Sequence, residues 1–134
     1  MTEQENNGIL IGNFMGLEEI GPGFPSHFCI NDVMYFFSDL EYHKSWSWLI
    51  PVVEKIENLN SDFTFKPQFT IKSGYSKCEA SFGHNNEFSV CYNYIEYSAW
   101  SKVILKKDKF ACDTKIDSVY YLCVEFIKWY NERN

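Results

Sequence analysis

The sequence predicts an α+β fold: one domain spanning residues 1–134, a layered α/β/α sandwich with a mainly antiparallel sheet of about four to five strands, a central helix and a C-terminal helix. Three observations predict it. Residues 45–57 are apolar on helical spacing over most of a cylinder. Residues 63–94 alternate apolar and polar with period two. Residues 116–130 return to helical spacing.

Taken in order, residues 2–17 read as a short, weak helix. Leu10, Phe14 and Leu17 share a face, and Gly8, Gly12 and Gly16 recur four apart on another. Each interior glycine costs about 1 kcal/mol of helix stability relative to alanine, so this helix needs docking, which a glycine face permits at close range. Gly21-Pro22-Gly23-Phe24-Pro25 turns the chain. Short extended runs at 27–30 and 33–37 flank Asn31-Asp32, a hairpin signal.

At about 100° per residue, Trp46, Leu49, Ile50, Val53 and Ile56 fall on one arc of the central helix, with Trp48, Val52 and Leu59 on the next. The combined apolar arc of roughly 200° exceeds that of a surface helix. Ser47, Glu54, Lys55 and Asn58 take the solvated sector. Ser45 is a good N-cap, Pro51 removes one helical hydrogen bond, and Asn60-Ser61-Asp62 is expected to close the helix. The expected structural core includes Trp46, Trp48, Leu49, Val53, Phe126 and Ile127.

The first clear strand sets Phe63, Phe65, Phe69 and Ile71 against Thr64, Lys66, Gln68, Thr70 and Lys72. Pro67 falls on its buried side and cannot donate to a ladder, which predicts an edge strand or a bulge. Cys78, Ala80 and Phe82 alternate in the second strand; Phe88, Val90, Tyr92 and Tyr94 in the third. A three-stranded antiparallel meander is the economical arrangement. Residues 97–109 fit both helix and strand patterns. In the last helix Thr114 caps, with Asp117 three residues on. Ile116, Val119, Tyr120, Cys123, Phe126, Ile127 and Tyr130 point inward, Leu122 and Trp129 widen the stripe, and Asp117, Tyr121, Glu125 and Lys128 face water.

Composition limits function. The net charge of −6 opposes attraction to nucleic-acid phosphates or anionic lipid, so direct nucleic-acid binding and membrane association are not expected. Aromatic residues make up 19% of the chain, enough that some rings should reach the surface. The five cysteines form no CxxC pair and fit buried thiols of a reducing cytosol; with no leader visible in the polar start of the chain, a cytoplasmic location is expected. His27, Cys29, Cys78, His84 and Cys91 show none of the close ligand pairs of a zinc centre, so no metal and no cofactor are expected. No motif flanks any Cys–His combination, no catalytic residue is assigned, and a non-enzymatic protein is expected. His43 is expected to hold the entrance of the central helix.

Two long segments resemble the phage ABA sandwich domain family. They are Tyr42-His43-Lys44-Ser45-Trp46-Ser47-Trp48-Leu49-Ile50-Pro51-Val52-Val53-Glu54-Lys55-Ile56-Glu57 and the C-terminal run of Lys115-Ile116-Asp117, Val119-Tyr120 and residues 124–132. Ile11-Gly12-Asn13-Phe14-Met15-Gly16-Leu17 is similar to that family's first helix. Ser47 stands where an aspartate is common, and residues 63–110 are longer and more divergent. The resemblance implies α-β-α layers and a small protein of phages or prophages, largely of Bacteroidota hosts, and brings no catalytic residues with it.

The resulting expectation is a non-catalytic phage accessory protein that binds a host protein, including the class that inhibits an antiviral defence system such as a CRISPR effector. Its expected binding residues are His84, Tyr92, Tyr94, Tyr97 and Trp100. Two alternatives stand beside it. One is a small-molecule or nucleotide-sequestering protein using a pocket of Tyr92, Tyr94, Trp100 and His84. The other is a hydrolase built on His43, His84 or Cys91.

Overall fold

The computed structural model describes residues 2–17, 19–20, 27–30, 33–59, 63–83, 86–94 and 111–133. The fold is α+β, with three helices and a four-stranded mixed sheet among the described residues. Helix α1 is Glu3–Phe14, α2 is Trp46–Glu57 and α3 is Lys115–Arg133. Strands β1 (Glu19–Ile20), β2 (His27–Ile30) and β3 (Val33–Phe36) form a small antiparallel sheet, followed by a 3₁₀ turn at Phe37–Asp39. Strands β4 (Phe65–Lys72), β5 (Tyr75–Ser81), β6 (Glu87–Tyr94) and β7 (Ala111–Cys112) form the main sheet in that order.

The glycine face of α1 docks as its spacing implies. Asn7, Gly8, Ile11 and Gly12 are buried, and a Cβ on Gly8 would sit 3.2 Å from Leu40 Cδ1. Thr2 caps the start by accepting the Glu5 amide at 3.1 Å. A Schellman turn ends the helix: Gly16 sits at φ +81°, its N–H donates to the Asn13 carbonyl, and Leu17 N–H reaches back to Gly12.

Helix α2 buries Leu49, Val52, Val53 and Ile56, a narrower stripe than the sequence suggests. Trp46 is not core: it is 38% exposed, as is Ile50. Trp48 is half-buried, edge-on to Tyr35 at 5.3 Å and to Tyr42 at 5.1 Å. Ser45 occupies the N-cap in extended conformation, but its hydroxyl pairs with Ser47 at 2.8 Å rather than with a helix amide. Asn58 closes the helix, its side-chain amide donating to the Glu54 carbonyl at 2.8 Å. Lys55 is not simply solvated: its ammonium donates to the Phe14 carbonyl at the negative end of α1 and lies 4.9 Å from the Phe14 ring centroid.

Strands β4, β5 and β6 form the expected meander, and β7 adds in parallel to β6. From Gln68↔Glu79 to Lys72↔Tyr75 the β4–β5 register is regular, but Phe65 opposes Ser81, so β4 carries an extra residue between Phe65 and Gln68. One inserted residue moves a side chain to the other face. Phe65 therefore leaves the face of Pro67 and Phe69 and is 43% exposed, contrary to its place in the alternating pattern; Ile71, near the other end of this edge strand, is 38% exposed.

The apolar face of the sheet presents Pro67, Cys78, Ala80, Phe88, Tyr92 and Tyr94 to the core. Helix α3 lies across it, burying Val119, Leu122, Cys123, Phe126 and Ile127, and α2 packs beside α3 along the β4 side. Leu49, Val53, Phe126 and Ile127 are buried as expected. Phe88 meets Phe126 edge-on at 5.6 Å, and Phe63, Phe82, Trp129 and Tyr130 extend the aromatic contacts to the C-terminal end of α3. The reverse face carries Gln68, Lys77, Glu79 and Ser89.

Candidate functional site

The amino-terminal ends of α1 and α3 converge beside β6 and β7. Thr114 caps α3 by accepting the Asp117 amide at 3.2 Å, which fixes Asp117 in the first turn. Thr2 does the same for α1, fixing Glu3 and Glu5. Between these ends lies a cleft of about 490 Å³ lined by Glu3, Asn7, Tyr92, Asp113, Asp117, Tyr121 and Glu125 among others. A second hollow of about 220 Å³ shares Glu3, Asn7, Asp117 and Tyr121 with it and reaches His43 and Tyr120.

A line of rings runs along this groove. Tyr92 stacks on Tyr121 at 5.5 Å, Tyr121 meets Tyr120 at 5.3 Å, and Tyr120 lies 6.2 Å from His43. The phenols are hard to ionise. Burial pushes Tyr92 up to about 12, and Glu125 adds to it. Burial likewise takes Tyr120 to about 12, with Glu3 and Asp117 adding, while the Asn7 side chain favours the ionised form. The buried Tyr120 hydroxyl has no hydrogen bond of good geometry. Tyr121 is raised by burial and then by Asp117 and Glu3. Cys112 is pushed up to about 12 by burial and then by Asp117 and Asp113. His43 is lowered by burial and by Lys44, against the pull of Glu41, Asp117 and a Leu40 backbone hydrogen bond.

The carboxylates of Glu3, Asp113, Asp117 and Glu125 outnumber Lys128, the one lysine of the lining among the described residues, so the cleft is acidic on balance. Helix amino termini ordinarily attract anions, but here the first turns already hold Glu3, Glu5 and Asp117. The arrangement suits a cation: a guanidinium or ammonium would meet carboxylate oxygens and tyrosine faces together. Among the described residues no group of three or more His, Cys, Asp or Glu has the geometry to hold a metal ion. Cys78 and Cys123 are fully buried, and burial holds both thiols protonated.

Of the residues expected from sequence to bind, Tyr92 lines the cleft. Tyr94 does not: it is buried in the core, and its hydroxyl donates to the Lys72 carbonyl at 2.5 Å. His84, Tyr97 and Trp100 lie outside the described residues. The structure adds Glu3, Asn7, Asp113, Tyr120 and Tyr121. Asp117, Tyr121 and Glu125 were expected in open solvent and instead are half-buried in the groove wall, because α1 packs against that side of α3. The signal for them was the acidic pair flanking the Thr114 cap and the adjacent tyrosines Tyr120-Tyr121 on one helix.

No family model, no curated protein and no solved structure matches this chain. No helix of the described residues is long and apolar enough to cross a membrane.

Proposed function

We propose that this chain is a non-catalytic accessory protein of a phage or prophage, acting in the host cytoplasm by binding a host protein through the tyrosine-lined acidic groove. The supporting observation is the groove itself: Glu3, Asp117 and Glu125 line it with Tyr92 and Tyr121 and outnumber Lys128, a setting for an arginine or lysine side chain of a partner. The phage setting rests on the resemblance of the central and C-terminal helices. The net charge of −6 adds long-range attraction to a basic partner. A host defence effector with a basic nucleic-acid surface is the partner class that this chemistry favours. The same carboxylates oppose an anionic ligand such as a nucleotide at this groove.

The test is capture from host lysate at low and high salt, using the wild type and the charge-reversed pair Glu3→Lys with Glu125→Lys. The expected result is a specific basic partner captured by the wild type, released by salt and lost in the variant. Capture that is undiminished by charge reversal, or no partner at all, overturns the proposal.

A further inference from the structure

Among the described residues the outer edge of β4 has no partner strand, and no β4 residue lines the groove. Strand β4 lies at the end of the main sheet, so its outward backbone groups are a template for another strand. The phase of the ladder identifies those groups. Tyr94 N–H donates to the Gly74 carbonyl at 2.9 Å. Hydrogen-bonded pairs alternate in an antiparallel ladder, so Ser76, Cys78 and Ala80 bond toward β6, and Tyr75, Lys77 and Glu79 toward β4. On β4, Gln68, Thr70 and Lys72 then bond to β5, and Pro67, Phe69 and Ile71 face outward.

These outward positions differ in what they offer. Pro67 has no N–H. Phe69 N–H is taken by the Glu57 carboxylate of α2 at 3.0 Å. Beyond them, the bulge between Phe65 and Gln68 bends the strand start away from a straight partner. Ile71 has an outward N–H with no acceptor among the described residues and an exposed apolar side chain. An antiparallel pair of β4 strands related by a two-fold axis would centre on Phe69, each Phe69 N–H meeting the other copy's Phe69 carbonyl and Ile71 facing Pro67. The Glu57 carboxylate occupies the donor at the centre of that pairing.

We propose that Glu57 is an edge guard, whose carboxylate prevents β4 from pairing with β4 of a second copy of this chain. Helix α2 holds the guard in place through Val53 and Ile56, which are buried one turn and one residue before it.

The test removes the guard from the full chain as Glu57→Ala, and shortens it as Glu57→Asp. Amide exchange at Phe69 and mass by light scattering across a concentration series are read for both. The expected result is Phe69 exchange at least about tenfold faster in either variant at dilutions where both are monomeric, the size of effect that follows loss of a hydrogen bond to a charged group, with protection returning as concentration drives pairing. A concentration-dependent dimer absent from the wild type should accompany it. Adding Ile71→Pro should abolish that dimer, since proline is tolerated where an edge N–H faces outward. Unchanged Phe69 exchange, a folded variant that gains no association, or a dimer that survives Ile71→Pro would each overturn the proposal. Should Glu57→Ala not fold, Glu57→Asp decides alone by the same readings.

Discussion

Phe126→Ala tests whether α3 is the clamp on the sheet. Phe126 is fully buried and touches Phe88 edge-on at 5.6 Å, Trp129 at 5.6 Å and Tyr130 at 5.9 Å. Its truncation removes a whole ring and leaves a cavity between α3 and β6. Such changes cost about 3–5 kcal/mol, and this site belongs in the upper half because its neighbours are rings on two elements that cannot collapse together. Taking about 4 kcal/mol and an unfolding entropy of about 2.1 cal/mol/K per residue, the Tm falls by about 14 °C. The assay is urea unfolding followed by far-UV circular dichroism, with the midpoint shifted and the slope unchanged. Trp46→Ala is the control. Sequence periodicity ranks Trp46 as core, but at 38% exposure it should cost under about 1 kcal/mol. A Phe126→Ala cost below about 1 kcal/mol, or a Trp46→Ala cost matching it, would refute the reasoning.

Other outcomes follow from the same packing. Lys55→Met should destabilise by about 1 kcal/mol, measurable by urea unfolding, because it strips the cation from the carbonyl end of α1. Gly16→Ala should cost about 1 kcal/mol in the same assay, since φ +81° strains any side chain. Tyr42, Tyr92 and Tyr120 have folded values raised to about 12 from the usual 10. The native state therefore holds protons that the unfolded chain gives up, so stability from these groups is complete below pH 10 and is lost as pH rises toward 12. Phenolate absorbance should show these three ionising together with unfolding rather than near pH 10. Cys78 and Cys123 should resist a thiol reagent in the native state and react on unfolding.

The helices were legible because burial sets a period: Val119, Tyr120, Leu122, Cys123, Phe126 and Ile127 of α3 are buried as their spacing picks out, though Ser118 and Val124 are buried outside that set. The caps at Thr114 and Ser45 were legible in position, though only Thr114 makes the expected bond. The edge role of β4 followed from Pro67 alone. Four things were not legible. Pro67 signalled an edge strand or a bulge, and both are present, but it did not say that the extra residue turns Phe65 to the other face, so Phe65 read as core. The width of an apolar arc does not say how much of it is covered, so Trp46 and Ile50 read as buried. The groove depends on α1 and α3 meeting across more than a hundred residues of chain. Glu3 and Asn7 carry no local mark of that meeting, and Tyr121 and Glu125 read as solvent-facing until α1 is placed beside them. Tyr94 read as a binding ring because alternation puts it on the face of Tyr92; only the fold separates a ring at the rim from one in the core.

The groove between α1 and α3 is proposed to take a cationic side chain of a partner. The most direct measurement is amide chemical-shift mapping of the labelled chain with a tetra-arginine peptide and, separately, a tetra-glutamate peptide. The predicted result is shifts confined to the groove, at Asn7, Tyr92, Asp117 and Tyr121, that saturate with the arginine peptide and weaken with salt, and none with the glutamate peptide. Arginine-peptide shifts scattered over the polar face of the sheet, or groove shifts driven by the glutamate peptide, would contradict it.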